Sequence, residues 1–316
     1  FFVAQNSANP KNLHISEDLQ DLLRLAIACT QTEDSNAATQ IQKVQQIDPT
    51  RKEFLENAIK IISSENEEIK KAMAILESES PSEEQIVDCL NFLRYELDNT
   101  DLANNFLKAG GSKTILRYLD NKNPDIKTCV LYIIAEISQN NPFSQQHFLD
   151  AGLISNLMGY LQEEDKTSSS VLHALSAIVR HFEPGCSIFL KKGGITCLKR
   201  CLQSKCPKVF MKACFLVRTL SMECSTIRDA FVEVAIVQTL VDCLDSVTGF
   251  DVKVETILST LCVLSECDAG KSHLANANAT EKIGELINVN TNKPECEDMI
   301  DYSTVILQRI KEKSRK

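Results

Sequence analysis

One phrase recurs four times along this 316-residue chain: FLKAGGSKTILRYL (106–119), FLDAGLISNLMGYL (148–161), FLKKGGITCLKRCL (189–202) and FVEVAIVQTLVDCL (231–244). The leading aromatics, Phe106, Phe148, Phe189 and Phe231, stand 42, 41 and 42 residues apart. A weaker fifth copy is expected near His273, one period further on. A helical unit of about this length cannot bury its apolar face alone, so copies must stack and share a continuous core. Such a stack offers a long binding surface, and it sets the expectation for function before any single residue is read.

Each copy has three parts. A short helix carries the aromatic. A glycine or glycine pair follows (Gly110-Gly111, Gly152, Gly193-Gly194) and permits a sharp turn, because glycine accepts positive φ. The fourth copy has Ala235 there, so its turn is expected to be made differently. A second helix buries Ile115 and Leu119, Leu157 and Leu161, Leu198 and Leu202, Leu240 and Leu244. A long third helix completes the unit at 128–139, 169–181, 209–222 and 253–266; these segments are apolar on nearly all sides, as a helix wedged between neighbours should be. The period and content predict an all-α, armadillo-like right-handed α-solenoid of about four three-helix repeats over 99–268, with helical caps at both ends.

The flanks read accordingly. Residues 48–98 are expected to form an N-terminal helical cap, opening at Asp48-Pro49. Capping boxes are expected at Ser64 with Glu67 and at Ser80 with Glu83. Residues 269–316 are read as a C-terminal helical cap and a basic tail. Residues 1–47 are polar and amide-rich and read as a flexible segment. Within them, 16–29 carries Leu19, Leu22, Leu23, Ala26 and Ile27 at helical spacing, an amphipathic stripe on a tether. The chain starts at Phe1 rather than Met, which reads as a truncated start.

Composition excludes several function classes. The net charge is −9, whereas nucleic-acid binding calls for clustered Lys and Arg. Anionic membranes are disfavoured for the same reason, and no apolar run approaches the roughly 18–20 residues of a membrane span. The chain has no Trp, which suits helix packing by Leu, Ile, Val, Ala and Cys. Thirteen cysteines occur without a single C-x-x-C, so zinc-ribbon spacing is missing. Buried free thiols in a reducing compartment are the expectation. No phosphate-binding loop, H-E-x-x-H or G-x-S-x-G is present. His173 and His181 lie two turns apart, too far for one metal. No enzyme activity, metal or cofactor is expected.

In an armadillo stack the third helices line the concave face, as resemblance to that repeat implies. Tyr132 and Glu136, then His173 and Arg180, then Phe215, Arg218 and Thr219 would form a ladder of aromatic and charged groups there. Aromatic and arginine side chains are favoured anchors in protein interfaces. Importin-type stacks use Trp and Asn pairs on this face. Trp is absent here and the asparagine column reads Glu136, Ala177, Thr219, which argues against that role.

Beyond the repeat, the chain resembles the heat-shock-protein-70-binding protein family of armadillo nucleotide exchange factors. The resemblance rests on LQDLLRLAI (19–27), RKEFLENAIKIISSENEEIKKAMAIL (51–76), LHALSAIVR (172–180) and KACFLVRTL (212–220), in that order. It implies a co-chaperone that grips the ATPase domain of a heat-shock protein 70 chaperone through its concave face and promotes ADP release. Leu19, Leu22, Leu23 and Ile27 match the family's N-terminal release element, which assists substrate release. A monomer that binds neither nucleic acid nor membrane is expected. The cysteines and a C-terminal Ser-Arg-Lys favour the cytoplasmic branch over the endoplasmic reticulum lumen. The alternative is a general armadillo scaffold without exchange activity.

Overall fold

The computed structural model describes residues 67–162 and 166–314. The chain divides into two units, Phe1–Ser64 and Glu65–Lys316, and the described residues belong to the second. The expected tether, its release-type motif and the helix opening at Asp48 lie outside the described residues. Among those described, every regular element is helical.

Two helices lead in, α1 (67–77) and α2 (Glu83–Glu96). The capping box of α2 sits two residues later than the sequence suggests. Ser82 Oγ accepts from the Gln85 N–H at 3.2 Å, and Gln85 Oε1 accepts from the Ser82 N–H at 2.9 Å. Ser80-x-x-Glu83 and Ser82-x-x-Gln85 both fit the pattern; the frame used is the one that satisfies two backbone donors reciprocally.

Five triplets follow. The first is α3 (Thr100–Lys108), α4 (Gly111–Leu116) with a 3-10 turn (Arg117–Asp120), and α5 (Pro124–Ser138). The second is α6 (Pro142–Asp150), α7 (Leu153–Tyr160) and α8 (Ser168–Val179). The third is α9 (Glu183–Lys191), α10 (Gly194–Cys201) and α11 (Pro207–Glu223). The fourth is α12 (Ser225–Glu233), α13 (Ile236–Asp242) and α14 (Val252–Leu264). The fifth is α15 (Asp268–Asn276), α16 (Ala279–Asn290) and α17 (Glu297–Ser314). Asn123 caps α5 with Pro124 in its first turn, Asn141 caps α6 with Pro142, and Asp251 caps α14.

The turn between the first two helices of each triplet is the same throughout. Gly110, Gly152, Gly193, Ala235 and Asn278 take φ of 85°, 70°, 87°, 62° and 57°. The expectation that Ala235 would force a different turn is therefore corrected: alanine adopts the left-handed conformation itself. That conformation costs an L-residue about 1–2 kcal/mol, and the burial of Phe231 and Ile236 on either side holds it in place. The fifth copy is offset by one residue, with fully buried Leu274 rather than His273 in the aromatic's position.

Phe148, Phe189 and Phe231 are the largest fully buried side chains. Removing such a ring from a packed core costs about 3–5 kcal/mol. The second glycine of each pair serves the ring beside it. A Cβ on Gly111 would sit 2.3 Å from the Phe106 ring, and one on Gly194 would sit 2.4 Å from the Phe189 ring.

Successive triplets are also tied by polar bonds. The C-terminal carbonyls at one level accept from a side chain on the second helix of the next unit. Tyr118 donates to the Leu76 carbonyl at 2.7 Å, Arg200 to Leu161 at 3.1 Å, and Lys282 to Val241 at 2.7 Å. Helix C-termini leave such carbonyls without intrahelical partners, so the first, third and fifth triplets each cap the level before them.

Candidate functional site: the inner wall

The third helices pack in series, α2 on α5, α5 on α8, α8 on α11, α11 on α14 and α14 on α17. Their cores are aliphatic, and what remains exposed forms one wall. Tyr132, His173 and Phe215 occupy the same position on α5, α8 and α11, one period apart. The Tyr132 and His173 rings meet edge-on with centroids 5.7 Å apart. Two arginines lie on this aromatic column: Arg94 over Tyr132 at 4.4 Å and Arg180 over Phe215 at 4.9 Å. Phe215 remains 43% exposed, which leaves a ring edge available to another molecule.

Sequence reasoning placed Glu136 on this ladder, and the structure shows it engaged. Arg94 donates to both its carboxylate oxygens at 2.6 to 2.9 Å while stacking on Tyr132. Arg94 was not singled out as a site residue. It lies 42 residues before Glu136, so extending the column back by one period would have found it. Thr219 donates to the Phe215 carbonyl at 2.9 Å, within its own helix. Arg180 ends α8 in an extended conformation. Its carbonyl and that of Ala177 both accept from the buried Gln145 side chain, at 2.9 and 2.8 Å. His181 follows at φ 54°, and both its N–H and ring nitrogen contact Glu223 at 3.1 Å.

A groove of about 640 Å³ opens across α8, α11, α14 and α17. His173, Arg180, Lys212, Phe215 and Arg218 line it, with Val252 half exposed at its rim. Burial, helped by the nearby Lys212, Arg180 and Arg94 charges, holds His173 down at about 4. It is therefore neutral at neutral pH. Burial followed by Arg180 and Lys208 lowers Lys212, and burial lowers Arg180 against the pull of Glu223. Lys208 and Lys212 were not anticipated as site residues; they emerge only when α11 is placed against α8.

Among the described residues no group of three or more His, Cys, Asp or Glu could hold a metal ion, and no helix is long and apolar enough to cross a membrane. The wall offers rings, cations and shape, the means of binding a surface.

Stacked triplets with such a wall define an armadillo-like repeat protein. The designed armadillo repeat protein YIII(Dq)4CqI shares this fold, with a TM-score of 0.62 at 16% identity over 76% of this chain and 98% of that one. The particular family follows from the sequence. The SIL1/FES1/HPBP1 C-terminal domain matches residues 102–239, and the nucleotide exchange factor Fes1 family matches residues 19–106. The two matches overlap at 102–106 and together span 19–239, so the chain is similar to this family over that stretch. Nucleotide exchange factor SIL1 of Rattus norvegicus is 27% identical over 205 residues, which is 63% of this chain and 44% of that protein. Hsp70-binding protein 1 of Macaca fascicularis is 26% identical over 252 residues, 74% of this chain and 67% of that protein. The chain thus spans about half the length of the curated relatives it matches.

Proposed function

We propose that this chain is a nucleotide exchange factor for a heat-shock protein 70 chaperone. The observation that carries the reading is the pair of adjoining family matches across 19–239, joined to an inner wall whose exposed groups suit a protein surface rather than a small substrate. The wall grips the chaperone's ATPase domain through Tyr132, Glu136 with its partner Arg94, His173, Arg180, Phe215, Arg218 and Thr219.

The mechanism is differential binding. A rigid stack that fits the open arrangement of the ATPase lobes better than the closed, nucleotide-bound one shifts the population toward the open form, and ADP leaves. The coupling is reciprocal, so bound nucleotide weakens the exchange factor's grip to the same degree. Rigidity is what makes this work. The triplets share one core, so closing the lobes would have to bend a packed interior. The chain performs no bond chemistry. The N-terminal stripe Leu19, Leu22, Leu23 and Ile27 assists by occupying the chaperone's peptide site and so promoting substrate release. A cytoplasmic location is supported by twelve described cysteines that are all free thiols.

The test is release of a fluorescent ADP analogue from a heat-shock protein 70 chaperone, with and without this chain. Acceleration that saturates with added protein is the expected result. Stable binding without acceleration would instead make the chain a scaffold.

A further inference from the structure

Several cations among the described residues are neutralised by a neighbour. Arg94 holds Glu136, Arg228 holds Glu266 at 2.5 Å, Lys253 holds Asp245 at 3.0 Å, and Lys271 holds Asp268 at 3.0 Å. The groove across α8, α11 and α14 instead gathers cations that have no such neighbour. Arg180, Lys208, Lys212 and Arg218 line it together, with Glu255 as the one carboxylate among its lining residues. Among the described residues none of these four makes an ion pair. Arg180 also keeps a buried Nε–H without an acceptor, and its guanidinium carbon stands over the Phe215 ring, 4.9 Å from the centroid. Exposed apolar groups, Phe215 and Val252, sit among these charges.

We infer that this groove recognises a clustered-carboxylate protein surface, a patch of Asp and Glu side chains set around an apolar one. Lys208, Lys212 and Arg218 pair with the carboxylates, and Arg180 on Phe215 forms a platform against which the apolar side chain packs.

Three observations favour an occupant of this kind. Unpaired cations crowded into a concave, partly dry site repel one another; burial lowers the proton affinity of Lys212, and the neighbouring Arg180 and Lys208 charges lower it further. A carboxylate surface relieves it, whereas a basic or neutral surface does not. The guanidinium Nε–H needs an acceptor, and an anionic one forms the stronger bond. The chain as a whole carries a charge of −9, so its net charge does not draw an acidic partner, and the local positive charge of the groove has to do so. Complementary charge of this kind governs association rate and orientation more than final affinity.

The inference rests on the reading of the wall as the chaperone-binding face, so two probes keep the two ideas apart. The first is the ATPase domain of the chaperone. Lys208→Glu/Lys212→Glu should slow its association with the full chain about tenfold at low salt and flatten the salt dependence. Lys191→Glu, an exposed charge on α9, should change neither. The milder Lys208→Gln/Lys212→Gln pair, with the helical circular-dichroism signal intact, should give an intermediate rate. The second probe is a short fluorescent peptide alternating Glu and Leu, measured against its Gln and Lys counterparts, with no chaperone present. The Glu peptide should bind the unaltered chain, the Gln peptide should bind at least about tenfold more weakly, and the Lys peptide should bind the doubly reversed variant in preference. Equal binding of the Glu and Gln peptides would overturn the acidic-partner inference while leaving exchange activity standing. Glu-selective binding without any acceleration of ADP release would sustain the inference and remove the exchange reading instead.

Discussion

Replacing Ala235 by glycine should stabilise the stack. Ala235 holds φ at 62°, in the position where the first three units have Gly110, Gly152 and Gly193. A left-handed L-residue costs about 1–2 kcal/mol. Glycine removes that cost but loses about 0.4–1 kcal/mol to the greater freedom of the unfolded chain. The balance favours Ala235→Gly by about 0.5–1 kcal/mol. In a chain of this size such a gain raises Tm by about 1–4 °C. The mirror experiment is Gly152→Ala. A Cβ there meets nothing within 4 Å, so the substitution tests backbone strain without a clash, and Tm should fall by a similar amount. Gly111→Ala is the contrasting case, because its Cβ would press into the Phe106 ring, and it should cost more than either. Circular dichroism at 222 nm follows the melt. Hydrogen exchange at Ile236 and Val237 reports the turn itself, since repeat stacks open locally as well as globally. If Ala235→Gly lowered Tm, or Gly152→Ala left it unchanged, the left-handed turn would not be the strained element described above.

Four further outcomes are expected. Arg180→Glu should impair ADP release while leaving the helical signal intact; unaffected release would move the contact face elsewhere. His173 has a folded pKa near 4, below its usual 6.5. Its neutral form is therefore the one folding favours, and the stability it contributes is complete above about pH 6.5 and drains away as the pH falls toward 4. In His173→Gln that part of the acid sensitivity of Tm should vanish. Glu136→Ala should free Arg94, costing no more than about 1 kcal/mol for this partly exposed pair, and a calorimetric melt will show whether the loss is larger. Deleting residues 1–47 should spare ADP release and slow release of a bound substrate peptide, and loss of both would make that segment structural.

The repeat was legible because its aromatic is large, buried and regular: Phe148, Phe189 and Phe231 mark the register unaided. Where those markers change identity, the reading fades. The fifth triplet carries Leu274 and Asn278 in place of Phe and Gly, and its register is displaced by one residue, so the eye finds only the trace near His273. Ala235 was misjudged because sequence reasoning equates positive φ with glycine, whereas a packed turn can impose it on a small residue. The column Tyr132, His173, Phe215 came from the resemblance to the armadillo repeat, which sets the third helices side by side. The binding of Glu136 by Arg94 did not, because the period was never extended backward past the first marker. Lys208 and Lys212 were hidden for a different reason. A charge on one helix becomes part of a groove only when the neighbouring helix is in place, and no pattern within 207–223 announces that.

The donors that Tyr118, Arg200 and Lys282 offer to the level before them run in one direction only. The assembly thus has a polarity. A unit removed from the C-terminal end takes away the hydrogen bonds that finished its predecessor, while one removed from the other end strands only a side chain that water can satisfy. Unravelling should therefore propagate more readily from the end that lacks a successor. The last described helix is α17, whose Arg309 reaches back to Cys262 and Ser265 and ties it to α14.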